Sequence, residues 1–170
     1  NFDQILESGT HIIWNKSSDQ LDIPDSSIKA IITDPPYGSN VQYGELCHFW
    51  LVWLRKHIDA PLFDLKSEIL VHRKKKSEQH KTFHDYREGL TRVFREMHRV
   101  LEPNGVMAFT FNSKNFKSWY SLMKAAIDAG FTLDQDAVIY QKPIENYRQT
   151  AHTRYKGTVH GDFIYSFVKP

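Results

Sequence analysis

Ile31-Ile32-Thr33-Asp34-Pro35-Pro36-Tyr37-Gly38 joins the end of an apolar run to a short loop. The run covers residues 28–33 and is typical of a buried strand. The two prolines end that strand, because proline fixes φ near about −65° and lacks the N–H that a central strand donates. The loop is therefore stiff, and it holds a carboxylate, two backbone carbonyls and an aromatic ring at nearly fixed separations. In open α/β sheets, ligands bind at this place, beyond the carboxyl ends of the strands.

Outward from this loop, strand patterns alternate with helix patterns along the chain. Apolar residues at three- and four-residue spacing predict helices, and short apolar runs bounded by turn residues predict strands. The predicted helices cover residues 43–58, 85–101 and 116–129, and the predicted strands cover 10–14, 28–33, 106–111, 131–140 and 162–168, with a weaker candidate at 68–71.

Three local signals set the limits of these helices. Asp85 is a predicted N-cap with Glu88 three residues later, which is capping-box spacing. Pro103-Asn104-Gly105 predicts a turn after the second helix, and Gly130 follows the third helix as a C-terminal glycine.

The first predicted helix is unusually aromatic. Its apolar stripe is broad enough that we expect most of it to be buried, with Trp50 and Trp53 in the core and Cys47 as a buried helix residue. Strands and helices that alternate before a terminal strand pair predict an α/β fold. We expect a parallel sheet whose last strand is antiparallel, because no helix separates that strand from its predecessor.

Bulk composition excludes several classes of protein. The 170 residues, 41% of them hydrophobic and 25% charged, are ordinary for one globular domain. No apolar run approaches the roughly 20 residues that span a bilayer, and the first residues do not resemble a secretory signal. The single cysteine cannot form an internal disulfide, and no Cys/His pair has the spacing of zinc ligands, so we predict neither a disulfide nor a metal site. This cysteine content favours a cytoplasmic setting. The net charge of +2 does not by itself identify a nucleic-acid partner.

The loop chemistry suits a planar ring that carries an exocyclic amine. Asp34 and the carbonyl of Pro35 would each accept one amine hydrogen, and Tyr37 would stack on the ring. Holding the amine in this way exposes the nitrogen lone pair as a nucleophile and stabilises the charge that develops on it. A nucleobase is such a ring, and it must leave the base stack to reach the pocket.

Asp34-Pro35-Pro36-Tyr37 after an apolar strand resembles the signature of S-adenosylmethionine-dependent methyltransferases that modify adenine N6 or cytosine N4. Three later features follow in the expected order: Leu-Glu-Pro-Asn-Gly-Val at 101–106, a helix that ends in Ala-Gly-Phe at 129–131, and a strand pair. Residues 33–55 are similar to large prokaryotic proteins described as adenine-specific DNA methylases. The resemblance covers nearly the whole chain.

This resemblance implies a Rossmann-like methyltransferase sheet, complete or partial, and S-adenosylmethionine as cofactor. It implies catalytic roles for Asp34, Pro35, Pro36 and Tyr37 and DNA as the partner, with adenine N6 the preferred target because aspartate stands before the two prolines. A transfer-RNA guanine N2 methyltransferase stays open as the alternative, since some of these enzymes show Asp-Pro-Pro-Tyr-Gly. The residues that would shape the base pocket are Gly38, Asn40, Tyr43, Asn112 and Ser113.

Basic and aromatic residues are concentrated in two loops. Arg73, Lys74, Lys75 and Lys76 form one run, and Arg148 and Arg154 lie in a loop that is also rich in tyrosine and histidine. Phosphate contact is one interpretation of these residues, and a solvated charged surface is the other.

One departure from the family pattern concerns the cofactor. The glycine-rich loop that holds the methionine part of the cofactor is not found, since the eight glycines are scattered. Without that loop, the residues left as candidates for contact with the cofactor are Ser17, Ser18 and Thr33. Two interpretations stay open. In the first, the chain, which begins without Met, is the target-base half of a longer protein that supplies this loop. In the second, the domain has lost the loop and is a non-catalytic module that binds nucleic acid or a partner.

Overall fold

The computed structural model describes Trp14 and residues 16–57, 65–72, 80–142 and 161–170. Most of the predicted strand at 10–14 lies outside these residues. The basic candidates Arg73, Lys74, Lys75, Lys76, Arg148 and Arg154 also lie outside them.

In the described part of the chain, five strands form one mixed sheet. They are β1 (Ile28–Thr33), β2 (Leu101–Phe111), β3 (Thr132–Leu133), β4 (Ile139–Gln141) and β5 (Asp162–Val168). The order across the sheet is β1-β2-β5-β3, and β4 also pairs with β5. β1 is parallel to β2, whereas β5 is antiparallel to β2, β3 and β4. Four strands therefore run in one direction and the last one is reversed, which confirms the predicted α/β sheet.

Among the residues that the structure describes, three α-helices accompany the sheet: α1 (Tyr43–Leu54), α2 (Phe83–Val100) and α3 (Phe116–Asp128). The predicted N-cap of α2 was wrong by three residues. Thr82 is the N-cap, since its hydroxyl accepts from the backbone N–H of Asp85, while the Asp85 carboxylate accepts from the backbone N–H of Thr82 at 2.7 Å. Asp85 is thus the third helical residue of a capping box. Within the described ranges, no helix is long and apolar enough to cross a membrane.

Three of the predicted strand segments differ from the structure: one is split, one is not a strand, and one begins earlier. The segment 131–140 is split into β3 and β4 by a 3₁₀ turn, Gln135–Ala137, which the Asp134 side chain caps. Residues 68–71 are not a strand, because the backbone N–H of Val71 donates to Gly38 in the loop after β1 instead of to a sheet. β2 begins at Leu101 rather than at 106 and takes in the predicted turn, where the pairing with β1 shifts register and Asn104 has φ 63°.

The core lies between the sheet and the two helices α2 and α3. Alternate residues of β2 are buried on this side, and Phe109 packs against rings from α2 and β5. The fully buried large side chains include Tyr86, Phe94, Phe109, Phe111, Leu122 and Phe167. β1 is at the edge of the described sheet, since it pairs only with β2 there. Its face opposite the core is also open, with Ile32 88% exposed, so β1 is not the buried strand that its sequence predicts.

The predicted burial of α1 is wrong. Trp50 and Trp53 are 64% and 67% exposed, Cys47 is only half-buried, and Gly44 is the only fully buried residue of the helix. Helical spacing identifies residues that share a face, but burial needs a second element to cover that face. None of the described elements covers the aromatic face of α1.

Arg99, near the end of α2, binds the segment that precedes β1. Its guanidinium donates to the backbone carbonyls of Leu21 and Ile23 at 3.0 and 2.9 Å and forms ion pairs with Glu96 and Asp25. These contacts set the position from which β1 enters the sheet.

The Glu96–Arg99 pair predicts a stability that depends on pH. The hydrogen bond from Arg99 lowers the pKa of Glu96 from 4.5 to about 2, so the pair stabilises the fold fully above about pH 4.5 and less as the pH falls toward 2. Glu96→Gln is expected to lower the melting temperature at pH 7, with a deficit that narrows toward pH 2. Glu88→Gln, at an exposed position of the same helix, is the control. Thermal denaturation at several pH values measures both, and a deficit for Glu96→Gln that does not change with pH would contradict this account.

Candidate functional site

The loop after β1 lies beside the carboxyl end of β2. Thr33 pairs with Phe109 across the two parallel strands, which places Asp34 next to Thr110. The hydroxyl of Thr110 donates to Oδ1 of Asp34 at 2.9 Å, and the hydroxyl of Tyr37 donates to Oγ1 of Thr110 at 3.2 Å. A chain of two hydrogen bonds therefore runs from Tyr37 through Thr110 to the Asp34 carboxylate, which is exposed.

The two prolines are held from the side of α2. The buried hydroxyl of Tyr86 donates to the carbonyl oxygen of Pro36. Burial raises the pKa of Tyr86, which keeps this phenol protonated as a donor. Pro35 is also buried, and among the described residues none donates to its carbonyl oxygen. The Pro36 carbonyl is therefore hydrogen-bonded within the fold, whereas the Pro35 carbonyl is available to accept a hydrogen bond from a ligand.

Gly38 allows the loop to turn sharply against α3. Its φ is +65°, and a Cβ at this position would collide with the buried side chain of Ser118. The backbone N–H of Asn40 donates to the carbonyl of Tyr37 at 3.3 Å and closes the turn. Any side chain at position 38 would push the loop away from α3.

Two tyrosines lie close to the Asp34 carboxylate. The ring of Tyr37 is half-buried and packs against Phe111, with 4.8 Å between ring centroids and 55° between planes. Burial is the main cause that raises the pKa of Tyr37 and of Tyr43, and the charge of Asp34 adds to both shifts. Both phenols are therefore neutral at physiological pH. Tyr43 opens α1, where Glu68 accepts from the backbone N–H of Gly44 at 2.8 Å.

Asn112 and Ser113 directly follow β2 at the same edge of the sheet. The amide of Asn112 donates to the carbonyl of Gly161 at 2.6 Å, and the buried Ser113 hydroxyl accepts from the backbone N–H of Asn115 at 3.2 Å. The structure brings both residues to the side of the loop, where their side chains connect β2 to β5 and to the start of α3.

Two members of this site, Thr110 and Asp162, are not among the residues predicted from the sequence. Asp162 is the first residue of β5, and because β5 is antiparallel its start lies at the carboxyl edge of β2. Burial raises the pKa of Asp162, and the negative charge of Asp34 raises it further. The reversed last strand was a sequence signal that could have placed Asp162 near the loop. No local signal specifies the pairing register that places Thr110 beside Asp34.

The raised pKa of Asp162 predicts a stabilising substitution. In the folded chain the ionised carboxylate is disfavoured, so stability is lost as the pH rises through the folded-state pKa. Asp162→Asn is expected to melt at a higher temperature than the wild type at pH 7, with the advantage fading below about pH 4, where the carboxyl is protonated in both states. Asp136→Asn, at an exposed position of the 3₁₀ turn, is the matched control. A lower melting temperature for Asp162→Asn at pH 7 would refute this electrostatic account.

A cavity of about 370 Å³ lies on the α2 side of Asp34 and Pro35. The three weak cofactor candidates, Ser17, Ser18 and Thr33, line it together. Lys16 also lines it, and the apolar part of the lining is Ile69 with four side chains of α2: Leu90, Val93, Phe94 and Met97. The volume lies within the roughly 300–1,000 Å³ of small-molecule sites. Hydroxyls and a carboxylate together with an apolar lining fit part of a molecule with polar and apolar ends, such as an adenosyl cofactor. The glycine-rich cradle for its amino-acid end is absent from the sequence, whose glycines at 157 and 161 are the closest pair.

Comparison with known proteins identifies the family of the chain. The family model for DNA methylases of the N6/N4 type matches residues 28–170. The chain belongs to this DNA methylase family. The matched residues include the whole loop from Asp34 to Gly38 and every described strand and helix. No curated protein matches the chain.

Several solved structures overlap with the chain. A candidate DNA modification methylase from Thermus thermophilus is 15% identical with a TM-score of 0.48, over 88% of this chain and 47% of that one. PvuII DNA methyltransferase, which is cytosine-N4-specific, has the same identity, TM-score and coverage of this chain, and 45% of its own length is covered. An S-adenosylmethionine-dependent methyltransferase from Methanosarcina mazei is 10% identical with a TM-score of 0.42, over 91% of this chain and 65% of that one. The chain spans about half the length of the two DNA methylases.

Proposed function

We propose that this chain forms the target-base half of an S-adenosylmethionine-dependent DNA methyltransferase that acts on an exocyclic amine. The observation that carries the proposal is the Asp34 carboxylate, fixed by Thr110 and followed by the available carbonyl of Pro35, in a chain of the DNA methylase family. Adenine N6 is the proposed target rather than cytosine N4, because aspartate precedes the two prolines.

The proposed chemistry begins with the amine held between two acceptors. Asp34 and the Pro35 carbonyl each accept one amine hydrogen, which weakens the conjugation of the nitrogen with the ring and exposes its lone pair. S-adenosylmethionine, when bound, supplies a methyl group on a positively charged sulfur. The Asp34 carboxylate then stabilises the positive charge that develops on the amine nitrogen.

The remaining residues bind and orient the base. Tyr37 stacks on the base, and the burial that raises its pKa keeps its phenol neutral. Gly38, Asn40 and Tyr43 form the rim of the pocket, with Asn112 and Ser113 at its β2 side. Ser17, Ser18 and Thr33 contact the cofactor in the cavity beside Asp34. The phosphate contacts are proposed for Arg73, Lys74, Lys75, Lys76, Arg148 and Arg154.

The remainder of a longer polypeptide supplies the glycine-rich loop in this proposal. The isolated chain is therefore expected to have little activity, and experiments on catalysis use the intact protein. If the intact protein binds no S-adenosylmethionine in calorimetry, the enzymatic proposal is wrong and a binding module is left.

Nucleoside analysis identifies the target. The intact protein is incubated with methyl-labelled S-adenosylmethionine and either DNA or transfer RNA, and the products are digested to nucleosides and separated by mass spectrometry. Label in N6-methyldeoxyadenosine is the expected result. Label in N4-methyldeoxycytidine would correct the target base, and label only in transfer RNA would overturn DNA as the substrate.

A further inference from the structure

We infer that Thr110 is a positioning residue for the proposed reaction: its hydroxyl fixes Oδ1 of Asp34 and leaves Oδ2 to accept the amine hydrogen. This inference rests on the proposed function. Thr110 belongs to β2, outside the loop that resembles the methyltransferase signature.

The direction of the two hydrogen bonds supports this role. The Thr110 hydroxyl donates its single hydrogen to Oδ1 of Asp34, because a hydroxyl has one hydrogen and the carboxylate oxygen is the acceptor. The Thr110 oxygen is then an acceptor for the Tyr37 hydroxyl at 3.2 Å. Since burial raises the pKa of Tyr37, that phenol keeps its hydrogen for this bond. The two bonds therefore run in one direction, from Tyr37 through Thr110 to Asp34.

The position of Thr110 in the sheet makes it a rigid support. β2 is paired on both sides, with β1 across Thr33–Phe109 and with β5 across Ile164–Thr110. Asp34, by contrast, lies in a loop at the sheet edge and its side chain is exposed. A β-branched side chain on a central strand has few rotamers, so the Thr110 hydroxyl has a nearly fixed position. It therefore restricts the Asp34 carboxylate more than the loop that carries Asp34 does.

Two substitutions at Thr110 separate positioning from packing. Thr110→Val keeps the shape and removes the hydroxyl, whereas Thr110→Ser keeps the hydroxyl. In the intact protein, Thr110→Val is expected to lower kcat about 10- to 100-fold, with the KM for DNA and the Kd for S-adenosylmethionine within about twofold of wild type. Thr110→Ser is expected to restore kcat to within about threefold of wild type.

Tyr37→Phe tests the order of the hydrogen bonds. It removes the donor to Thr110 and keeps both the ring and the Thr110–Asp34 bond, so its loss of kcat is expected to be smaller than that of Thr110→Val. A Thr110→Val enzyme with wild-type kcat, or a Thr110→Ser enzyme as slow as Thr110→Val, would overturn the inference. An inactive wild type would instead refute the proposed function, and with it the role of Thr110.

A spectroscopic test does not depend on activity. In the chain labelled with ¹³C at the aspartate carboxyl groups, Thr110→Val is expected to move the Asp34 resonance and to leave that of Asp85 in place. Thr82→Val is the matched control, because the Thr82 hydroxyl donates to Asp85 at 2.7 Å in the same way. It is expected to move the Asp85 resonance alone. An Asp34 resonance that Thr110→Val leaves in place would contradict the proposed contact.

Discussion

Replacing Asp34 with alanine is expected to lower methyl transfer by the intact protein about 10²- to 10³-fold, the range typical when a group that stabilises transition-state charge is removed. Asp34 is exposed, and its hydrogen bond in the described part of the chain comes from Thr110, so little of the fold depends on it. The melting temperature should therefore stay near that of the wild type. Methyl incorporation from labelled S-adenosylmethionine into DNA measures the loss.

Two further variants make this experiment specific. Asp34→Asn keeps an acceptor oxygen and loses the negative charge, so it should retain more activity than Asp34→Ala but less than the wild type. Asp136→Ala removes an exposed carboxylate in the 3₁₀ turn and is expected to transfer methyl groups at the wild-type rate. An Asp34→Ala enzyme with the wild-type rate would show that Asp34 has no part in the reaction.

The largest effect on stability is expected at Phe109. Its side chain is 1% exposed and lies among three rings, with centroid distances of 6.0 Å to Phe94, 5.4 Å to Phe167 and 5.9 Å to Tyr165. Phe109→Ala is expected to cost about 3–5 kcal/mol of unfolding free energy, because it removes buried ring surface and leaves a cavity. Equilibrium unfolding in urea measures the change.

Phe116→Ala is the matched control for Phe109→Ala. Phe116 is 79% exposed at the start of α3, so its removal is expected to change the unfolding free energy by no more than about 0.5 kcal/mol. Similar losses for the two variants would contradict the core assigned here. Phe109 also directly precedes Thr110, so a variant that repacks this part of β2 should lose methyl transfer as well as stability.

Local signals predicted much of the fold. The structure places β1 at the predicted residues, because Pro35 cannot continue a strand and the apolar run before it is continuous. Gly130, with φ of +101°, follows α3 as predicted. The antiparallel β5 followed from the absence of a helix pattern between 141 and 162, and its pairing with β4 confirms that reasoning.

Errors arose where an outcome depends on residues distant in sequence. The apolar face of α1 was expected to be buried, yet Trp50 and Trp53 are exposed. The prediction was wrong because periodicity contains no information about what covers a face. The N-cap of α2 was a different kind of error, because its signal is local. Thr82 and Asp85 stand three residues apart at capping-box spacing, and the side chain of each accepts from the backbone N–H of the other.

The candidate site shows this limit most clearly. The loop from Asp34 to Tyr37 was found from its own residues, since proline and aspartate impose their geometry locally. Thr110 lies 76 residues from Asp34 and Asp162 lies at the start of the last strand. Their neighbourhood depends on the register of β1 with β2 and of β2 with β5, which no single-residue preference specifies.

The most direct test of the central claim is a crystal structure of the intact protein with a non-reactive cofactor analogue and an adenine-containing DNA oligonucleotide. The account predicts an unstacked adenine with N6 within hydrogen-bond distance, about 2.6–3.2 Å, of both Asp34 and the Pro35 carbonyl, and with Tyr37 against one face of the base. A base bound elsewhere, with Asp34 making no contact to it, would contradict the claim.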